Sequence, residues 1–202
     1  QHHGWLESYV QAANPGQNLV FRNHGFCGDR VDNPPRNRGF IDPHTYLGIS
    51  KADVILTFFG SNAAWDNNPG NYKNALSKWI DDTRTKQYNG KSAPTIVLFS
   101  PIAHENLKSH NYPDGKEQNE RLDKITAVTA QVAKEKKVEF VNLFHATQQL
   151  YAQAKSPLTI NGIFLSEEGN KIISQFIFKS LFSMDAPVKH KHLDKINAAV
   201  LD

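Results

Sequence analysis

The chain has one cysteine, one methionine and no long apolar run among its 202 residues. The single Cys27 excludes an intrachain disulfide framework and a multi-cysteine metal site. The longest apolar runs have the length of strands, far short of the ~20 residues that span a bilayer, which argues against membrane insertion. The net charge of +3 is small and both signs are interspersed along the chain. We therefore expect no nucleic-acid-binding surface.

The remaining composition, with 39% hydrophobic and 21% charged residues, suits one soluble domain. Apolar runs predict four strands: Leu19–Phe21, Asp53–Phe59, Thr95–Phe99 and Val138–Val141. Helical spacing of apolar residues predicts helices between them, at Trp5–Ala13, Tyr72–Gln87, Lys116–Lys136, after the N-cap Ser166, and at Leu193–Leu201. This alternation predicts a three-layer α/β/α sandwich with a central parallel sheet. We expect residues 1–186 to form the domain and residues 187–202 to form a C-terminal helix or linker.

Two blocks of polar residues and glycine directly follow predicted strands. The first is Asn23-His24-Gly25-Phe26-Cys27-Gly28-Asp29, in which Gly28 would let the backbone approach a ligand closely. The alternative is a turn that uses glycine for its shape. The second is Phe59-Gly60-Ser61-Asn62, in which Asn62 is either a side-chain donor or a turn residue. Because ligands of open α/β sheets bind at the carboxyl ends of strands, both blocks are candidate site segments. The loops 32–39 and 106–115 also follow strand ends.

The third block is Asn161-Gly162-Ile163-Phe164-Leu165-Ser166-Glu167-Glu168-Gly169-Asn170. Together and in this order, the three blocks resemble those of the SGNH (GDSL-type) hydrolase superfamily over nearly the whole chain. The resemblance implies a flavodoxin-like fold, with the Gly28 backbone and the Asn62 amide as oxyanion-hole or ligand-binding donors. In the family the third block reads Asp-Gly-x-His-Leu, where the Asp orients the His that acts as base. Here these two positions are Asn161 and Phe164, which we interpret as vestigial catalytic positions.

The first family block, Gly-Asp-Ser-Leu, supplies the nucleophilic serine after the first strand, and no Gly-Asp-Ser occurs in this chain. In the family that first strand is central in the sheet. Without it the neighbouring strands would expose unpaired backbone groups. We therefore expect residues upstream of Gln1 to complete the sheet.

Ordinary ester hydrolysis by this chain would require a base at another position, since Phe164 cannot accept a proton and Asn161 cannot stabilise an imidazolium. Loss of the base costs on the order of 10⁴ to 10⁶ in rate. His104, beside Glu105 after the third predicted strand, is the candidate catalytic residue. The alternative is a loop histidine bonded to backbone. Weaker candidates for a place in the pocket are His24, Asp29, Trp65 and Asp66.

These observations give a leading functional hypothesis, an SGNH-like domain without ordinary esterase chemistry that binds a small carbohydrate or acyl ligand. One alternative is an active esterase or carbohydrate deacetylase that uses an upstream serine and His104. Another is a structural spacer between domains. The resemblance is closest to SGNH-like modules of large exported bacterial proteins that carry c-type haem domains. It implies neighbouring domains and a periplasmic or extracellular location. No Cys-x-x-Cys-His motif and no phosphate-binding loop occurs, so no cofactor or metal is expected.

Overall fold

The computed structural model describes residues 3–26, 28–32, 39–66 and 68–201. Its elements, in chain order, are α1 (Trp5–Ala13), α2 (Pro43–Ile49), β1 (Val54–Thr57), a 3₁₀ helix (Ala63–Asp66), α3 (Pro69–Arg84), β2 (Thr95–Phe99), α4 (Lys116–Lys136), β3 (Glu139–Val141), α5 (Leu143–Gln153), α6 (Glu167–Phe182) and α7 (Leu193–Leu201). The chain divides into two compact units, one within 24–104 and 115–145 and the other within 1–23, 105–114 and 146–202. We call them the sheet unit and the helical unit.

The sheet unit holds a parallel sheet with the strand order β1-β2-β3. Helices α3 and α4 pack against each other, and α4 contacts β2 and β3. Their buried residues follow the spacing that the sequence predicts: Tyr72, Leu76 and Ile80 in α3, and Leu122, Ile125 and Val132 in α4. The Tyr72 hydroxyl lies 3.3 Å from the Thr129 hydroxyl. Burial raises the pKa of Tyr72 to about 12 because phenolate is poorly solvated there.

The helical unit is built on the packing of α1 against α6 and α7. The shared apolar cluster contains Trp5 and Tyr9 of α1, Phe178 of α6 and Leu193 of α7. The Asn197 side chain also donates to the Ser8 hydroxyl at 3.0 Å. Residues 187–202 were expected to form a C-terminal helix or linker. The helix forms, and Leu193 packs into the same cluster as α1.

One predicted strand is wrong. Residues Leu19–Phe21 form no strand, and Val20 is exposed. A short apolar segment gains strand geometry only when it has a partner to share hydrogen bonds, and no described strand pairs with it. The predicted loop 32–39 lies mostly outside the described residues. No helix in the described part of the chain is long and apolar enough to cross a membrane.

Candidate functional site

The first and second sequence motifs, residues 23–29 and 59–62, meet at the carboxyl end of β1. The Asn62 side-chain amide donates a hydrogen bond of 3.1 Å to the backbone carbonyl of Asp29. Gly28 has a φ of +88°, a conformation that favours glycine, and the Asp29 N–H donates to the Phe26 carbonyl at 3.1 Å. Gly28 therefore forms a tight turn beside Asn62. Cys27, between these residues, lies outside the described part of the chain.

A small depression with a cavity volume of about 10 Å³ opens at this position, and we call it the Asn62 cavity. Most of its lining residues have polar side chains, with carboxylates, carboxamides and one guanidinium. Its lining residues are Asp29, Arg30, Val31, Asp32, Gly60, Asn62, Ala63, Asp66, Asn68, Asn71 and Tyr72.

The charged wall of the Asn62 cavity is organised around Arg30. Its guanidinium contacts both carboxylate oxygens of Asp32, at 3.1 and 3.2 Å, and pairs with Asp66. The hydrogen bond with Asp32, and secondarily that with Asp66, raises the pKa of Arg30 above its usual value against the opposing effect of burial. The cavity lining has a formal charge of −2, from the three carboxylates of Asp29, Asp32 and Asp66 and the one guanidinium of Arg30. No cluster of metal-binding side chains occurs among the described residues.

The loop with the two replaced residues lies in the helical unit. Asn161 accepts hydrogen bonds from the backbone N–H groups of Ile163 (3.2 Å) and Phe164 (2.9 Å) through its side-chain oxygen. Gly162, with a φ of +85°, supplies the turn. The Phe164 side chain is 55% exposed. Asn161 thus acts as a turn residue, and Phe164 places an apolar ring at the surface of this unit.

The Glu105 carboxylate holds the start of the same loop through hydrogen bonds. This carboxylate is 6% exposed. It accepts hydrogen bonds from the Leu158 N–H (3.0 Å), the Thr159 N–H (2.7 Å) and the Thr159 hydroxyl (2.6 Å). In addition, the Glu105 N–H donates to the Gly162 carbonyl at 2.9 Å. Burial first, and the charge of Glu105 second, raise the pKa of Tyr151. The sequence analysis identified Glu105 only as a neighbour of His104. Its burial and its hydrogen bonds to the loop could not be predicted, because no local sequence pattern indicates a buried carboxylate of this kind.

His104 lies in the sheet unit and is 7% exposed. Its ring lies so close to Gly115 that a Cβ at that position would approach within 2.6 Å of the ring. Asn119 holds the backbone of His104 at both sides, because it accepts from the N–H at 2.7 Å and donates to the carbonyl at 2.9 Å. His104 therefore lies on an enclosed segment whose backbone is hydrogen-bonded to α4. Asn119 was not identified from the sequence, since it lies inside the regular pattern of α4.

The weaker candidates have different surroundings. The Nε2 atom of His24 lies 2.9 Å from the Ser50 hydroxyl, and the His24 ring stacks edge-on against Tyr46 at 5.5 Å. Trp65 is exposed on the 3₁₀ helix whose last residue, Asp66, lines the Asn62 cavity. Gly28, Asn62 and His104 belong to the sheet unit, whereas Asn161 and Phe164 belong to the helical unit.

Solved structures of esterases share this fold. An acetylxylan esterase from Geobacillus stearothermophilus matches with a TM-score of 0.66 at 16% identity, over 90% of this chain and 80% of that one. A carbohydrate acetylesterase from Sinorhizobium meliloti matches with a TM-score of 0.62 at 18% identity, over 91% and 86%. The aryl esterase of M. smegmatis matches with a TM-score of 0.61 at 16% identity, over 89% and 84%. Curated proteins give no match.

The predicted fold class is confirmed: this is a mixed α/β chain of the flavodoxin-like, SGNH-hydrolase type with a parallel sheet. The family model for the GDSL-like lipase/acylhydrolase family matches residues 1–172. That match covers all three sequence motifs. The chain therefore belongs to the GDSL-like lipase/acylhydrolase family.

Proposed function

We propose that this domain binds a carbohydrate on the polar surface around the Asn62 cavity and does not hydrolyse esters by the usual route of its family. The observation that carries the proposal is the group of polar side chains that line that cavity. Carboxylates and carboxamides are hydrogen-bond partners for sugar hydroxyls, whereas an acyl chain requires an apolar wall. The exposed Trp65 beside Asp66 adds a flat apolar surface for a sugar ring.

Two further facts support the non-hydrolytic part. The position that carries the base in the family's last block is Phe164, which cannot take up a proton. Asn161 uses its side-chain oxygen to hold the loop backbone. Two of the structural neighbours are an acetylxylan esterase and a carbohydrate acetylesterase. A domain that kept the sugar contacts and lost the base would bind such polysaccharides without cleaving them.

Calorimetric titration with xylo-oligosaccharides, with and without acetyl groups, tests sugar binding. Trp65→Ala and Asn71→Ala should each weaken binding by about fivefold or more if they contact the ligand. Tyr112→Ala is the matched control, since Tyr112 is an exposed aromatic residue outside the cavity lining. Absence of binding, or an equal effect of the control substitution, would refute the assignment.

The second candidate is an active esterase with His104 as base, favoured by the family and by the esterase neighbours. Hydrolysis of a small aryl acetate by the full polypeptide separates the two. We expect background turnover. Turnover well above background that disappears in a folded His104→Ala variant would establish the esterase instead. His104 is enclosed, so this outcome would require the segment around it to open.

We also propose that the domain acts in the periplasm or outside the cell, next to other domains of a longer polypeptide. Polymeric xylan-type ligands are encountered there. Fractionation of cells that express the tagged full polypeptide tests the location, and recovery in the cytoplasmic fraction would contradict it.

A further inference from the structure

Two asparagine residues of the chain precede a glycine, Asn89 and Asn161. In an Asn-Gly pair the backbone nitrogen of the glycine can attack the side-chain carbonyl carbon of the asparagine, because glycine has no Cβ to hinder the approach. The attack closes a cyclic imide, the succinimide, and water opens it to aspartate or isoaspartate. Asparagine is thermolabile for this reason. The groups around each pair decide how readily the ring closes.

The carboxamide of Asn161 is polarised for this attack. Its Oδ1 atom accepts hydrogen bonds from the backbone N–H groups of Ile163 (3.2 Å) and Phe164 (2.9 Å), so the side chain folds back over the peptide groups that follow it. When the Gly162 nitrogen attacks the Cγ atom, negative charge develops on Oδ1. Two N–H groups directed at that oxygen stabilise the charge as an oxyanion hole does.

The attacking nitrogen also has a path for its proton. The Gly162 N–H donates to the Thr159 hydroxyl oxygen at 3.0 Å, and that hydroxyl donates to the Glu105 carboxylate at 2.6 Å. Thr159 is 4% and Glu105 6% exposed, so these hydrogen bonds are shielded from bulk water. A carboxylate can take up a proton, and a hydroxyl between the two groups can pass one on. The loop therefore combines a polarised carbonyl with an amide whose proton can move to a buried base.

The Asn89-Gly90 pair forms the same kind of turn and is an internal control. The Asn89 Oδ1 atom accepts from the backbone N–H groups of Lys91 and Ser92, at 2.8 and 2.9 Å. Both glycines have a positive φ, +73° at Gly90 and +85° in the other pair. The carbonyl of Asn89 is therefore polarised in the same way as that of the first pair.

The two pairs differ at the N–H of the glycine. The Gly90 N–H donates to the backbone carbonyl of Gln87 at 2.9 Å, and a carbonyl oxygen has no proton to pass on and is a very weak base. The nearby Asp53 carboxylate accepts from the Asn89 side-chain nitrogen at 2.8 Å, the nitrogen that leaves and not the one that attacks. Only the Asn161-Gly162 pair thus has a hydrogen-bonded path from the attacking nitrogen to a carboxylate.

We propose that Asn161 is a site of deamidation that the loop itself promotes. The Gly162 nitrogen forms a bond to the Asn161 Cγ atom while its proton passes through the Thr159 hydroxyl to Glu105. The carboxamide nitrogen takes up a proton from solvent water and leaves as ammonia, which completes the succinimide. A water molecule then adds to one of the two ring carbonyls and opens the ring to aspartate or isoaspartate. Glu105 returns its proton to the solvent.

The reaction adds a negative charge to the loop at the position where the family has its aspartate. An aspartate at position 161 still offers an oxygen to the two backbone N–H groups, whereas isoaspartate lengthens the backbone by one carbon and alters the turn. A carboxylate at this position does not restore ester hydrolysis, because Phe164 cannot accept a proton. The proposal does not depend on sugar binding.

Peptide mass spectrometry of the folded chain after incubation at neutral pH tests the proposal. Trypsin places the two pairs on separate peptides, 87–91 and 156–171, and fragmentation of the longer peptide distinguishes Asn161 from Asn170. Incubation in heavy-oxygen water labels the acid that forms by hydrolysis. We expect Asn161 to convert at least about tenfold faster than Asn89. In urea, where neither pair keeps its surroundings, the two rates should become similar.

Thr159→Val tests the proton path, because it removes the hydroxyl and keeps the shape of the side chain. In the folded variant the rate at Asn161 should fall by about tenfold, with the rate at Asn89 unchanged. Thr159→Ser keeps the hydroxyl and should keep the fast rate. Circular dichroism checks that both variants fold. Should Thr159→Val not fold, the comparison of the two asparagines in the folded and the urea-unfolded chain decides.

Two results would overturn the proposal. The first is conversion of Asn161 in the folded chain that is no faster than that of Asn89. The second is an unchanged or faster rate at Asn161 in folded Thr159→Val, because the hydrogen bond from Gly162 would then only hold the loop.

Discussion

Replacement of Glu105 by glutamine should destabilise the chain strongly, although the two side chains have the same shape. The carboxylate is buried and accepts hydrogen bonds from Leu158 and Thr159. A carboxamide keeps one acceptor oxygen and puts an NH₂ group in place of the other. If the oxygen takes the position of Oε2, it still accepts from the Thr159 N–H and hydroxyl and from the Leu158 N–H, but without the charge, and the NH₂ group faces the Leu158 N–H.

The expected cost follows from the lost charge at these hydrogen bonds and from the NH₂ group that now faces a backbone donor. A hydrogen bond to a charged group contributes about 1.5–3 kcal/mol, against about 0.5–1.5 kcal/mol for a bond between neutral groups. We therefore expect Glu105→Gln to lower the free energy of unfolding by about 2–3 kcal/mol. For a chain of this length that corresponds to a fall in the melting temperature of roughly 4–12 °C. Glu105→Ala removes every acceptor and should cost more.

Urea denaturation followed by circular dichroism measures this difference, with Glu117→Gln as the control. Glu117 is an exposed residue of α4 whose carboxylate pairs with Arg121 four residues on. Exposed pairs of this kind contribute little, so the control should change stability by less than about 0.5 kcal/mol. If Glu105→Gln had an equally small effect, the carboxylate would not hold the 158–165 loop in the way that the hydrogen bonds indicate.

Three further substitutions test separate parts of the fold. Gly115→Ala should lower the free energy of unfolding by about 2–4 kcal/mol through backbone strain and overlap with His104. Gly90→Ala is the control, because Gly90 has a similar φ but open space around it, and it should cost only about 1–2 kcal/mol. Equal midpoints of the two variants in urea denaturation would refute the close contact. Stability should fall as the pH rises from about 10 towards 12, because the unfolded chain ionises Tyr72 before the folded chain does, and Tyr72→Phe should make this fall shallower. Ser166→Ala should cost about 1 kcal/mol in thermal unfolding because the hydroxyl accepts from the Gly169 N–H, and an unchanged melting temperature would refute the cap.

Elements with strong local signals were predictable from the sequence. The strand Thr95–Phe99 and the helices Trp5–Ala13 and Lys116–Lys136 have the predicted bounds. Each combines a clear apolar period with polar flanks, so local and tertiary preferences agree. The predicted strand Asp53–Phe59 is shorter in the structure, Val54–Thr57, since only those residues find partners in β2.

Two helices were missed for lack of a long apolar stripe. Helix α2, Pro43–Ile49, has no buried residue, and its signals are the N-cap Asp42 and the proline at its first position. Helix α5, Leu143–Gln153, follows Asn142, whose side chain accepts from the His145 N–H at 3.0 Å. The first residue of each helix could have been predicted from the capping residue before it. The contact between the His104 ring and Gly115 could not be predicted from the sequence, because no local sequence pattern links the two residues.

The survival of the third sequence motif without its catalytic side chains has a physical cause in the hydrogen bonds of the loop. Asn161 accepts from two backbone N–H groups through one oxygen, a task that an aspartate performs equally well. Phe164 contributes to the loop through its backbone, because its carbonyl accepts from the Ile160 N–H at 2.8 Å. Glu105 and Ser166 hold the two ends of the loop. The fold therefore places no demand on an ionisable side chain at 161 or 164. Replacement of both ionisable side chains is therefore compatible with an intact loop.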